Sequence, residues 1–269
     1  MSRISSTMDA LKATGKTALV PYITAGDSHP GLTVPLMHAM VKSGADLIEL
    51  GIPFSDPMAD GPTIQLACER ALKHHVGLHD VLDMVREFRQ QDDSTPVILM
   101  GYLNPLEAMG YETFAESAKS AGVDGMLTVD LPPEEAHDLL VCLKKAEMDA
   151  IFLLSPTTRK HRIQRIVEAG SGYLYYVSLK GVTGSNALDV NDVDKHVRNI
   201  KEYSDLPVGV GFGIKDAATA AAVSKVSDAV IVGSVLVKMI EQNPDDDALI
   251  IANTSQMLAD MRHAMDNTL

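Results

Sequence analysis

Val208-Gly209-Val210-Gly211-Phe212-Gly213 is the stretch on which the choice of fold turns. Glycines at the end of an apolar, strand-length run suit either the dinucleotide turn of a doubly wound sheet or a phosphate-binding strand end of a barrel. The spacing here is GxGxG rather than GxGxxG. The acidic residue about twenty positions on, Asp228, opens the next apolar run instead of closing it, so a dinucleotide fold would lack its ribose partner. The barrel fits better.

Outward from this stretch, apolar runs of strand length recur at 19–23, 47–50, 97–100, 125–129, 151–154, 173–177, 208–212 and 229–232. Most lack polar/apolar alternation, as expected of parallel strands covered on both faces. Amphipathic stretches separate them, one carrying Leu32, Leu36, Met37, Met40 and Val41, another Val81, Leu82, Val85 and Phe88. Three joins resemble one another: Ser43-Gly44-Ala45-Asp46, Ala121-Gly122-Val123-Asp124 and, without glycine, Val226-Ser227-Asp228-Ala229. Glycine after a helix ends it in the left-handed conformation, so these joins read as helix C-caps. Eight β units predict an α/β protein, a (β/α)8 barrel forming a single domain over 1–269. An extra N-terminal helix over 5–13 covers its bottom. About fifty residues separate the second and third strands, and residues 179–190 follow the sixth, so extended loops are expected at both places.

The chain has 269 residues with 23 basic and 36 acidic side chains, a formal net charge of −13. This balance argues against nucleic acid as the main partner. Apolar runs of roughly 5–8 residues fall far short of the ~20 that cross a bilayer. Residues 1–6 carry no apolar signal stretch, and Cys68 and Cys142 offer no disulfide framework, so a cytoplasmic protein with reduced thiols is expected.

Catalytic groups of such barrels project from the carboxyl ends of strands. Glu49 stands there on the second strand between Ile48, Leu50, Gly51 and Ile52. Burial should raise its pKa and suit it to proton transfer near neutrality. The following loop holds Pro53, Pro57 and Pro62 between Gly51 and Gly61, and can bring Asp60 back to the mouth beside Glu49. Two carboxylates in different surroundings can then take different roles; a turn aspartate is the plainer reading of Asp56 or Asp60. Gly213 after the seventh strand and Gly233-Ser234 after the eighth suggest a phosphate site, with Ser234 also expected to cap the helix that follows. Tyr22 and Tyr175 sit at strand ends and could bond to catalytic groups or be structural. His74, His75 and His79 lack a completing ligand, so no metal site is expected. Lys180 lies in the Gly-rich loop, where a Schiff-base lysine is not expected.

These residues resemble the tryptophan synthase α subunit family. The most specific match is ELGIPFSDPMADGPTIQ at 49–65, supported by PYITAGD at 21–27, GYLNP at 101–105, GVTG at 181–184, GFGI at 211–214 and Gly233-Ser234, all in family order across essentially the whole chain. The resemblance implies retro-aldol cleavage of indole-3-glycerol phosphate to indole and glyceraldehyde 3-phosphate. It places Glu49 as the acid/base and Asp60 as the carboxylate at the indole N–H. Tyr22, Ile64, Tyr175, Thr183 and Phe212 fall at substrate-contact positions, and Gly184, Gly213, Gly233 and Ser234 at phosphate-binding positions. Tyr22 stands where a phenylalanine is frequent. The resemblance further implies a β subunit in an α2β2 heterotetramer, contacted through Pro53, Asp56 and Asn104. Pyridoxal phosphate belongs to that partner, leaving no cofactor in this chain. The alternative is another sugar-phosphate barrel, an isomerase or epimerase, in which the Glu49–Asp60 loop has no obvious purpose.

Overall fold

The computed structural model describes residues 2–178 and 189–267. Its strands are β1 (Ala18–Thr24), β2 (Ile48–Gly51), β3 (Val97–Gly101), β4 (Gly125–Thr128), β5 (Asp149–Leu154), β6 (Leu174–Val177), β7 (Val208–Gly211) and β8 (Ala229–Val232). They pair in parallel, each with the next and β8 with β1, into a closed barrel. Every expected strand is present. The helices begin with α1 (Arg3–Ala13), α2 (Pro30–Lys42), α3 (Pro62–Leu72), α4 (Leu78–Arg89), α5 (Leu103–Met109) and α6 (Tyr111–Ala121). They continue with α7 (His137–Lys145), α8 (Lys160–Ala169), α9 (Val190–Lys201), α10 (Ala217–Ser224), α11 (Ser234–Gln242) and α12 (Asp247–Asp266). The long interval between β2 and β3 holds a loop and two helices, α3 and α4. Most of the extended loop expected after β6 lies outside the described residues. No helix among the described residues is long and apolar enough to cross a membrane.

Two apolar layers explain the closure. The helices bury faces such as Val81, Leu82, Val85 and Phe88 of α4 against the outside of the sheet. Inside, α1 plugs the bottom: Ile4 and Met8 pack with Ala18, Val20, Leu47, Ile98, Ile151 and Tyr173. Strand periodicity makes alternate residues point inward, and the register sets Tyr22 beside Glu49 and Glu49 beside Ile98.

The repeated helix-to-strand joins do more than cap. Gly44 and Gly122 have φ of +101° and +92°, as a left-handed helix end requires. The aspartate that follows each join clamps the neighbouring strand. The N–H groups of Asp46, Asp124 and Asp228 each donate at 2.9 Å to the carbonyls of Leu19, Val97 and Val208. Their carboxylates accept the N–H groups of those same residues at 2.8, 2.9 and 2.8 Å. Each carboxylate also meets a cation: Arg262 on Asp46, Arg3 and Arg89 on Asp124, Lys201 on Asp228.

Asp124 is the most buried of these clamps, at 5% exposure, and its loss leaves the 11%-exposed Arg89 guanidinium without its carboxylate, with the carbonyls of Gly122, Asp92 and Thr95 as its hydrogen-bond partners. Asp124→Ala is expected to cost about 3 kcal/mol in urea unfolding, with Asp228→Ala costing about 1 kcal/mol at its more exposed site. Equal losses at the two positions would contradict the burial argument.

Candidate active site

The upper end of the barrel interior is built by β1, β2 and β6. Glu49 on β2 is fully buried. Its Oε1 accepts a hydrogen bond from the Tyr173 hydroxyl, and its Oε2 has no partner among the described residues. Burial pushes the carboxyl up to about 7, against the opposing pull of the Tyr173 hydrogen bond. Near neutral pH this group therefore gives and takes a proton at little cost. Glycines make room for the phenols around it. A Cβ on Gly51 would strike the Tyr22 hydroxyl, and one on Gly211 would strike that of Tyr175. The Tyr22 hydroxyl lies 3.2 Å from Thr24 Oγ1.

The loop after β2 returns Asp60 to this mouth, as expected. Burial pushes the Tyr175 phenol well up, and the charges of Glu49 and Asp60 add to it. On Tyr22 burial again comes first, followed by Cys68, Asp60 and Glu49. Both carboxylates thus act on the same two rings. Asp60 accepts a 2.9 Å hydrogen bond from the Tyr102 hydroxyl, and its carboxyl is raised by burial more than that bond lowers it. The loop is wound by turns, with the Met58 N–H donating to Asp56 and the Asp60 N–H to Pro57. Gln65 at the start of α3 holds the Asp60 carbonyl at 2.9 Å. Ile64, one residue before it, packs in a cluster with Tyr22, Ala67, Met100 and Val237.

Across the mouth, Phe212 and Gly213 both adopt positive φ, +80° and +82°. That is unfavourable for a phenylalanine by roughly 1–2 kcal/mol. Ser178 braces the turn by donating to the carbonyls of Gly211 and Phe212 at 3.0 and 2.9 Å. Phe212 is left 47% exposed at the rim. Gly233 caps α11, and Ser234 is that helix's first residue. Ser234 is therefore not the cap it was expected to be. No hydroxyl–helix bond forms, and its exposed side chain stands beside the unpaired N–H groups of the first turn.

Of the remaining expected positions, Thr183 and Gly184 lie outside the described residues, as does Lys180. Asp56 and Asn104 are exposed, whereas Pro53 is buried by its own chain. The surface of that loop is carried by Asp56 and by Met58, which is 82% exposed. His74 meets the Ser28 carbonyl at 2.9 Å, and among the described residues no three His, Cys, Asp or Glu side chains gather to hold a metal. Cys68 and Cys142 are free thiols. Two partners of the carboxylates, Tyr173 and Tyr102, were not singled out as site residues. The signal for Tyr173, just before β6, is its spacing of two from Tyr175 on that strand, which turns both inward. For Tyr102 it is only a place within GYLNP.

The family model for the tryptophan synthase alpha chain matches residues 8–266. The chain belongs to the tryptophan synthase alpha chain family. The alpha chains of Thioalkalivibrio sulfidiphilus and Marinobacter nauticus are 61% and 60% identical, over 99% of this chain and 100% and 99% of theirs. Tryptophan synthase subunit alpha from Legionella pneumophila superposes with a TM-score of 0.93 at 50% identity, covering 99% of each chain. A Mycobacterium tuberculosis tryptophan synthase structure does so with 0.89 at 33% identity, covering 98% of each. The α reaction is the retro-aldol cleavage of indole-3-glycerol phosphate to indole and glyceraldehyde 3-phosphate, which sets aside the isomerase or epimerase alternative. An α chain hands indole to the β subunit of an α2β2 assembly, and pyridoxal phosphate belongs to that subunit.

A carboxyl raised from its ordinary value binds a proton in the folded state where the unfolded chain has lost it. The stability this gives is fully present below about 4.5 and disappears as pH rises through about 7. Glu49→Gln is expected to be more stable than the parent at pH 8 by on the order of 3 kcal/mol, with the gap closing at pH 5. Denaturant unfolding at both pH values checks this, and parallel pH curves for the two proteins would refute the raised pKa.

Proposed function

We propose that Glu49 is the acid/base of the α reaction in this chain and Asp60 the carboxylate that answers the charge on the indole ring. Cleavage needs a proton delivered to indole C3 and another removed from the glycerol hydroxyl as the C–C bond breaks. One carboxyl near pH 7 with a free oxygen can serve both steps in turn. The observation that carries this reading is the Glu49 Oε2 atom, buried beside Tyr22 and Tyr175 with no partner among the described residues. When C3 is protonated, positive charge reaches the ring N–H, and Asp60 on the facing loop stabilises it.

Tyr22, Ile64, Tyr175 and Phe212 line the ring pocket. The substrate phosphate sits on the backbone of Gly184, Gly213 and Gly233 and on the Ser234 hydroxyl, at the start of α11. These are proton transfers and bond cleavage, and the scheme calls on no metal. Asp56 and Asn104 face the β subunit, with Pro53 shaping the loop beneath. Residues 1–269 act as one barrel domain in the cytoplasm.

Indole release from indole-3-glycerol phosphate, measured with and without added β subunit, tests the whole reading; folded protein inactive in both conditions rejects it. Glu49→Gln keeps the shape but cannot exchange protons, so turnover is expected to fall about 10²–10⁴-fold with KM little changed. A rate equal to the parent's would remove Glu49 from the mechanism.

A further inference from the structure

The Tyr102 side chain is 3% exposed, and its hydrogen bonds and ring stack among the described residues are all with the acidic loop. Its hydroxyl donates to Asp60 Oδ2 at 2.9 Å and accepts the Ala59 N–H at 3.0 Å. Its ring stacks on Phe54 with centroids 5.3 Å apart. One phenol thus holds the loop near its beginning at Phe54 and at its end. The same residue precedes α5, whose first N–H, from Leu103, is held by Asp130 at 2.8 Å. Exposed Asn104 follows immediately, and exposed Asp56 and Met58 lie on the clasped loop. Burial and the Asp60 charge push the phenol's pKa up, so it keeps the proton that it donates.

We infer that Tyr102 is the positioning residue for Asp60, and that a β subunit pressing on α5 and on the loop 53–60 acts on Asp60 through this phenol. The inference rests on the role proposed for Asp60. Without the phenol, Asp60 retains no side-chain hydrogen bond among the described residues, and the loop loses the tie at Ala59. The Phe54 stack survives in Tyr102→Phe, so this substitution removes the two hydrogen bonds and leaves the packing. The anion grip at Gly213 and Ser234 is carried by β7 and α11 and does not involve Tyr102.

The test compares the parent with Tyr102→Phe, Asp60→Asn and the double variant. For each, kcat and KM for indole-3-glycerol phosphate are measured with and without β subunit, together with binding of glycerol 3-phosphate. Tyr102→Phe is expected to lower kcat about tenfold, the scale of a modest misplacement of a catalytic group. Its KM and glycerol 3-phosphate affinity should stay within about twofold, and the ratio of the rates with and without β subunit should fall toward one. In the Asp60→Asn background the same change should have no further effect, because the two residues act as one unit.

Additive losses in the double variant overturn the inference, as does a fall in glycerol 3-phosphate affinity that matches the fall in kcat. A ratio of rates with and without β subunit equal to the parent's also overturns it. If Tyr102→Phe runs at the parent rate while Asp60→Asn is inactive, the positioning inference alone fails. If Asp60→Asn keeps the parent rate, the role of Asp60 fails and this inference with it.

Discussion

A carboxyl group sealed inside a barrel, with one hydrogen-bond partner among the described residues, is the constraint around which this site is organised. An ionised Glu49 in that position is expensive, because burial removes its water and Tyr173 replaces only one of the lost bonds. The fold tolerates the group by keeping it close to the pH at which it is half protonated. Such a group is poorly suited to holding a structure together and well suited to exchanging protons. The rest of the barrel supplies the stability that Glu49 withholds: apolar layers on both sides of the sheet, and the aspartate clamps at its lower rim. Stability devices therefore gather at the strand starts and chemistry at the strand ends, the usual division in this architecture.

The two carboxylates are kept apart in character by the elements that carry them. Glu49 is fixed to a strand, where register and packing leave it no freedom. Asp60 sits at the end of a proline-rich loop, shaped by turns, by Gln65 and by the Tyr102 clasp. A strand gives position without adjustment, whereas a loop held by hydrogen bonds can be shifted by whatever touches its outer face. Exposed Asp56 and Met58 place that outer face toward solvent, so the adjustable carboxylate is also the one within reach of a partner.

The strands were legible because a parallel strand covered on both faces writes its burial into consecutive residues. The turns after β7 and β8 and the Glu49–Asp60 loop were legible for a related reason: glycine and proline mark sharp changes of direction locally. What the chain did not reveal was pairing across the barrel. Tyr173 lies 124 residues from Glu49, and their contact exists only because eight strands close with one register. Tyr102 reaches Asp60 across 42 residues in the same way. The repeated joins show both sides of this limit. Their glycines predicted helix ends, yet the aspartates beside them gain their purpose from a neighbouring strand that no local pattern names. Ser234 is the reverse case, a residue type that suits a helix cap and was displaced from that role when Gly233 took it one residue earlier.

The net charge of −13 would seem to oppose an anionic substrate, and the way the barrel answers this follows from range. Exposed charges are screened beyond about 8 Å at physiological salt, whereas an amide at a helix start acts at contact distance. A grip built from backbone needs no cationic side chain in the mouth, and a lysine or arginine there would pair with Asp60 or draw Glu49 toward its charged form. A cation at that rim would strengthen phosphate binding and lower the carboxyl's pKa together. Helix α11 couples the two ends of the site without that conflict. In the reading proposed above its first turn offers amides to phosphate, and Val237, one turn further on, packs in one cluster with Tyr22 and Ile64. One helix thus serves both ends of the proposed site, and among the described residues the Glu49 carboxyl is set by burial and by Tyr173, with no cation acting on it.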